Sequence, residues 1–282
     1  MTIADEGERM RFAYNTNGMA HHRLPDALTF LADTGYDGVA LTVDVHHLDP
    51  TAATTREQAV EVARLCTHRG LGVVVETGAR FLLDPRRKHH PTLVSSDAED
   101  RARRLAFLRE CCELATLLNA EAVSFWAGVG GPDAWEWLRE GVSALVASHG
   151  GRGFALSLEP EPGMVVGDCA AWERLEIPSL SLALDTGHCL VEGDLSPQDA
   201  VRRYGSHLGT VAVEGMRRGV HEHLPVDEGD LDLPAVLSAL VDVGWTGLVT
   251  VEQSRDSHRA DVLVPHTLEV LRRSAARKSE TP

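Results

Sequence analysis

Two carboxylates placed at the ends of apolar runs are the first sign of chemistry in this chain. One run, Phe154 to Leu158, leads into Glu159 within the stretch LSLEPEPG; another, in SLALDTGH, leads into Asp185 and then His188. Each run has the composition and length of a buried strand, so each acid falls where a strand meets a loop. In a parallel β/α protein such ends face the same way, and ligands collect there. Elsewhere the residues at or just after apolar runs are Asn15 and Asn17, Asp44 with His46 and His47, Glu76, Trp126, Glu214 and Glu252. Most are polar, and most of those are acidic. Carboxylates crowded at one mouth repel and raise one another's pKa, and a divalent cation is the simplest way to relieve that.

The elements that must position these residues alternate along the whole chain. Strands are expected at Arg11 to Asn15, Val39 to Val43, Val73 to Val75 ending at Glu76, Ala122 to Trp126, Phe154 to Glu159, Ser181 to Asp185, Leu208 to Glu214 and Leu248 to Glu252. Between them fall helices at about Pro25 to Thr34, Thr55 to Arg69, Ala98 to Leu118, Ala134 to Ser148, Cys169 to Leu175, Pro197 to Tyr204, Leu233 to Val243 and Ala260 to Ser274. Asp97 and Ser196 stand where helix N-caps belong. A polar loop from Thr77 to Ser96 delays the third helix, and a loop is expected from Glu214 to Asp232. Eight strand-helix units are the number that closes a barrel, so the expected architecture is a single α/β domain, a (β/α)8 TIM barrel over residues 11–274. Residues 1–10 and 275–282 read as flexible ends.

Composition narrows the function. The 282 residues carry a formal charge of −15, which argues against nucleic acid as a partner because phosphate contacts need a basic face. No apolar run has the roughly 18 to 20 residues of a membrane span, and MTIADEGERMR lacks the order of a signal peptide, so a cytoplasmic protein with no membrane partner is expected. The five cysteines, with no Cys-x-x-Cys, read as reduced, packed thiols. A small-molecule ligand fits best.

The runs EPEPG, LDTGH, GVHEHLPVDEGDLD and LVTVEQSRDSH, with ALTVDVHHLDP and ETGARFLLDPRRKHHPTL in the first half, resemble the sugar phosphate isomerase and epimerase family with the xylose isomerase-like barrel. The resemblance covers about Phe12 to Leu271. It implies a sugar or cyclitol substrate, with or without phosphate, and a divalent metal ion such as Mn, Mg, Co or Zn. It also implies metal ligands at Glu159, Asp185 and Glu252, with His188 completing an Asp-x-x-His and His223 following strand seven. Related sequences carry a further metal-binding His on strand seven, where this chain has Ala212, Val213, Glu214 and Gly215; by the two-residue period Glu214 shares a face with Ala212 and is a candidate to fill that place. The implied reaction is proton transfer beside a carbonyl through an enediolate, with Glu159 and Glu252 as the proton-moving pair and His188 assisting. A homodimer is one assembly the resemblance allows.

Substrate-binding candidates are His221 and His223, Trp126 as a stacking platform, His47, Glu76, and the basic group that includes Arg80 and Lys88. Each has a plainer reading: strand-end acids cap turns, a histidine bonds a neighbouring carbonyl, Trp126 belongs to the core, and Glu76 pairs with Arg80. Two other classes of function stay open, a metal-dependent lyase or hydrolase on the same barrel, and a barrel that only binds a metabolite because its metal site has degraded.

Overall fold

The computed structural model describes residues 9–276; the segments 1–8 and 277–282, and with them most of both expected flexible ends, lie outside the described residues. Eight parallel strands close into a barrel: β1 (Arg11–Asn15), β2 (Gly38–Thr42), β3 (Gly72–Glu76), β4 (Ala122–Trp126), β5 (Ala155–Glu159), β6 (Ser181–Asp185) and β7 (Leu208–Val213), with a later strand, β10 (Leu248–Val251), between β7 and β1. The two strands between β7 and β10 in the chain, β8 (Gly215–Arg217) and β9 (Val220–Leu224), form an antiparallel hairpin outside the barrel.

The helices are α1 (Leu24–Thr34), α2 (Thr55–Arg69), α3 (Ala98–Leu118), α4 (Ala134–His149), α5 (Cys169–Glu173), α6 (Thr186–Glu192), α7 (Pro197–Tyr204), α8 (Leu233–Asp242) and α9 (Ala260–Ala276). Their starts are set by side-chain caps: Asp97 accepts from the backbone N–H groups of Glu99 and Asp100, and Ser196 and Asp232 accept from Asp199 and Ala235. The main core lies between the strands and the helices, where Val39, Leu41, Val73, Val75, Val123 and Phe125 alternate outward from the sheet. A smaller cluster of Ala13, Val74, Ala122 and Leu248 plugs the inside of the barrel at its lower end. The upper end is left to polar side chains. The five cysteines are free and buried, as their spacing suggested. Among the described residues no helix is long and apolar enough to cross a membrane.

Candidate active site

The carboxyl ends of the barrel strands surround a cavity of about 410 Å³, and Glu76, Trp126, Glu159 and Glu252 each reach it from the end of a different strand. Asp185 ends β6 and is 3 % exposed. Its Oδ1 accepts from the N–H groups of Gly187 (2.7 Å) and His188 (3.2 Å), capping α6, while its Oδ2 is buried with no hydrogen bond. The plain reading of Asp185 as a cap is therefore true of one oxygen and leaves the other free. Ligand atoms of Glu159, Asp185 and His188 lie within 4.8 Å of one another, and so do those of Asp185, His223 and Glu252. Asp185 belongs to both groups and keeps one orphaned oxygen, which suits a hard or borderline cation, so the residues fit a divalent ion.

His188 is placed by α6, the short helix that Asp185 caps. Its Nδ1 donates to the Pro160 carbonyl at 2.9 Å, and a carbonyl can only accept, so in the neutral ring Nε2 carries the lone pair. That Nε2 stands 3.2 Å from Nε2 of His221, 3.6 Å from Oδ2 of Asp185 and 3.8 Å from Oε2 of Glu161. His221 and His223 sit two residues apart on β9, so they share one face of the hairpin, and it is the hairpin that carries them to the cavity. Burial, then the neighbouring His188 and His223, pushes His221 down to about 4. Burial also opposes charge on His223, but Glu214, then Glu252, outweigh it and raise the ring to about 10.

Glu214 does not take the place the sequence suggested for it. It is 0 % exposed, it is not among the cavity-lining residues, and both its oxygens are buried without a hydrogen bond. The reason is local: β7 stops at Val213 and the chain turns into the hairpin at Gly215, so the strand's alternation no longer governs residue 214. Its carboxylate tucks against Gly187, where a Cβ would stand only 2.2 Å from Oε1, and it faces Nδ1 of His223 at 3.9 Å. Burial first, then Asp185, raises its pKa well above the carboxylate range.

His47 is likewise drawn away. It is 3 % exposed, its Nε2 donates to the His22 carbonyl at 2.9 Å, and it does not line the cavity, which makes it a loop-fastening residue. Arg80 and Lys88 line the cavity, and Trp126 is 8 % exposed with the Arg104 guanidinium 4.5 Å over its ring. Glu76 is raised to about 8 by burial and then by Glu252, and Glu159 is raised well above its ordinary value by burial and then by Glu161.

Three residues in or beside the cavity make contacts that the sequence reading did not assign, although it had placed Asn17 at a strand end. Glu161 lines the cavity between His188 and His221, at 3.8 and 3.7 Å. Its signal was present, since a second Glu stands two residues beyond the first in EPEPG. Asn17 donates from Nδ2 to Glu252 Oε1 at 2.8 Å and so holds that carboxylate in place. Arg104, buried in α3, had no signal that separates it from the other arginines of that helix.

No curated protein matches the chain. Among solved structures, an L-ribulose 3-epimerase superposes with a TM-score of 0.76 at 19 % identity, covering 96 % of this chain and 97 % of that one. A D-allulose 3-epimerase from Methylomonas sp. gives 0.74 at 16 % identity, covering 95 % and 98 %, and a 3-keto-D-glucoside 4-epimerase from E. coli gives 0.71 at 17 %, covering 94 % and 100 %. At these identities the likeness is one of fold. The match that carries further is to the family model of the xylose isomerase-like TIM barrel, which spans residues 28–274, and the chain belongs to that family.

Proposed function

We propose that this protein is an isomerase or epimerase of a sugar or cyclitol, working by proton transfer at a carbon next to a carbonyl. The observation that carries the reading is the pair Glu159 and Glu252, which line one cavity from strands set apart around the barrel by β6 and β7. Two carboxylates that reach a bound sugar from different sides can remove a proton on one face and return it on the other, which inverts the carbon. Three similar structures, all of sugar epimerases, support the same class of reaction.

A divalent cation would be held by Glu159, Asp185 and Glu252, with His223 in place of the strand-seven residue. When bound it supplies charge stabilisation to the carbonyl oxygen and the neighbouring hydroxyl. His223 turns Nδ1 toward buried Glu214, which leaves its other ring nitrogen for the cation; a carboxylate behind a ligating imidazole is the usual arrangement. Asn17 orients Glu252 for its proton-moving role. His188 keeps its Nδ1 proton on Pro160 O, and its Nε2 accepts from His221 Nε2 at 3.2 Å, so the two rings move together at the cavity wall. Trp126 offers indole surface to an apolar sugar face, and Arg80 and Lys88 suit a phosphate or carboxylate where the substrate has one.

Incubation with ketoses and inososes in deuterated water tests this. Deuterium should enter the carbon beside the carbonyl, and Glu159→Gln and Glu252→Gln should each stop its entry while keeping the fold. Loss of a fragment without exchange would overturn the proton-transfer reading.

One observation favours a second reading, a metal-dependent lyase or hydrolase. His188, His221 and His223 offer ligand atoms within 4.8 Å of one another, enough for a second cation beside Glu161. Two ions per chain by elemental analysis, together with cleavage, would select it.

A further inference from the structure

A second cavity of about 700 Å³ opens beside the acid-lined one, and Lys88, His89 and Trp126 line both. Its chemistry is different. Carboxylates and histidines crowd the first; the second has one carboxylate, Asp133, and His90 beside the shared His89, and the rest of its wall includes Trp137 on α4, Val129 and Met164, with Thr92 and Ser96 supplying hydroxyls. Aromatic and aliphatic surface edged by hydroxyls matches a sugar ring, which has C–H faces and a polar rim.

The join between the cavities is rigid. Trp126 is held under the Arg104 guanidinium at 4.5 Å, and Arg104 Nη2 donates to the Thr77 carbonyl at 3.1 Å. His89 meets the Trp126 ring edge-on at 5.2 Å and donates from Nδ1 to the Gly78 carbonyl at 3.0 Å. Its backbone is held at φ 63°, a conformation that side chains other than glycine rarely adopt. Trp137 is fixed as well, with the Arg101 guanidinium 4.3 Å over its ring. Val129, at the rim, is 73 % exposed, an apolar side chain left in water beside a preformed aromatic wall.

Taking Glu159 and Glu252 as the proton-moving pair, and therefore resting on the function proposed above, we propose that the side cavity is a subsite for a second sugar ring. The substrate class is then a keto-sugar glycosidically linked to another sugar residue, not a free monosaccharide. The reacting ring lies among the carboxylates, the linkage passes Trp126 and His89, and the second ring stands against Trp137.

The test compares deuterium exchange into D-fructose with exchange into two disaccharides that carry the same ketose, lactulose and isomaltulose. For the wild-type protein at least one disaccharide should show kcat/KM about tenfold or more above D-fructose, the advantage one well-packed aromatic contact can give. Gly131→Trp then fills the side cavity from a position where a Cβ meets nothing within 4 Å. It should lower the disaccharide-to-fructose ratio by a similar factor, and Trp137→Ala should do the same, with unchanged melting temperatures certifying both folds. Exchange into D-fructose with no disaccharide advantage overturns the subsite alone, and so does an equal loss on both sugars in Gly131→Trp. If neither these sugars nor the ketoses and inososes tested above exchange, the proton-transfer reading falls and the subsite falls with it.

Discussion

On the function proposed above, His223 would hold the strand-seven place for which the sequence made Glu214 a candidate, with Glu214 standing behind its ring. A buried carboxylate 3.9 Å from Nδ1 of a cavity-facing histidine does more by orienting that ring than by reaching for an ion itself. His223→Ala should therefore weaken Mn2+ binding by about 10- to 100-fold, and Glu214→Gln should cost about tenfold through the ring it no longer steadies. Equilibrium dialysis measures both. Ala212 pairs in register with Asp185, so Ala212→His placed on the His223→Ala background should recover part of the affinity; no recovery would put the missing ligand somewhere else. Glu159, Asp185 and Glu252 were legible because each ends an apolar run, and a strand end fixes where a side chain goes. Glu214 also ends such a run, but the hairpin that diverts it depends on backbone geometry two residues later. His47 was illegible for another reason, since its partner, the His22 carbonyl, lies 25 residues away in sequence.

At the scale of elements, alternation of apolar runs was enough to place all eight barrel strands to within a residue or two, together with the long helices. Helix α6 and the hairpin strands β8 and β9 were missed, and α6 and β9 build the site. Helix α6 begins Thr-Gly-His, with a glycine near its start and no apolar stripe, so its helical character rests on the Asp185 cap more than on propensity. The hairpin strand β9 reads Val-His-Glu-His-Leu, an alternation whose histidine face is turned to a polar cavity where a strand in a core would show apolar side chains. Functional faces hide the pattern that sequence reading relies on. The double use of Asp185 can be separated by mutation. Asp185→Asn keeps an oxygen that accepts from the Gly187 and His188 N–H groups, so it should leave the melting temperature near wild type while metal binding is lost. Asp185→Ala loses the cap too and should cost about 0.5–2 kcal/mol more, read by urea denaturation of the metal-free proteins. Equal stability of the two variants would show that α6 stands without its cap.

For the whole molecule, a chain of net charge −15 that gathers carboxylates at one end of its barrel must hold them neutral or neutralise them. Glu76 has its pKa raised from 4.5 to about 8, and burial moves Glu159 and Glu214 the same way. A carboxyl group raised in this sense keeps its proton in the folded protein at a pH where the unfolded chain has lost it. The folded state then binds more protons, and stability falls as pH rises. For Glu76 this contribution is fully present below about pH 4.5 and is lost as the pH climbs through about 8. The metal-free protein should therefore melt at a lower temperature at pH 8.5 than at pH 5.5, with each kcal/mol lost showing as roughly 2–4 °C. Glu76→Gln, which has no proton to lose, should flatten part of that slope. Saturating Mn2+ should flatten it further, because a cation among the carboxylates favours their charged forms and binds only the folded chain. Scanning calorimetry across this pH range, with and without Mn2+, checks all three statements. A melting temperature of the metal-free protein that stays level or rises toward pH 8.5 would mean that the acids are already ionised and solvated, and a barrel mouth of that kind would have no need of a cation to hold it together.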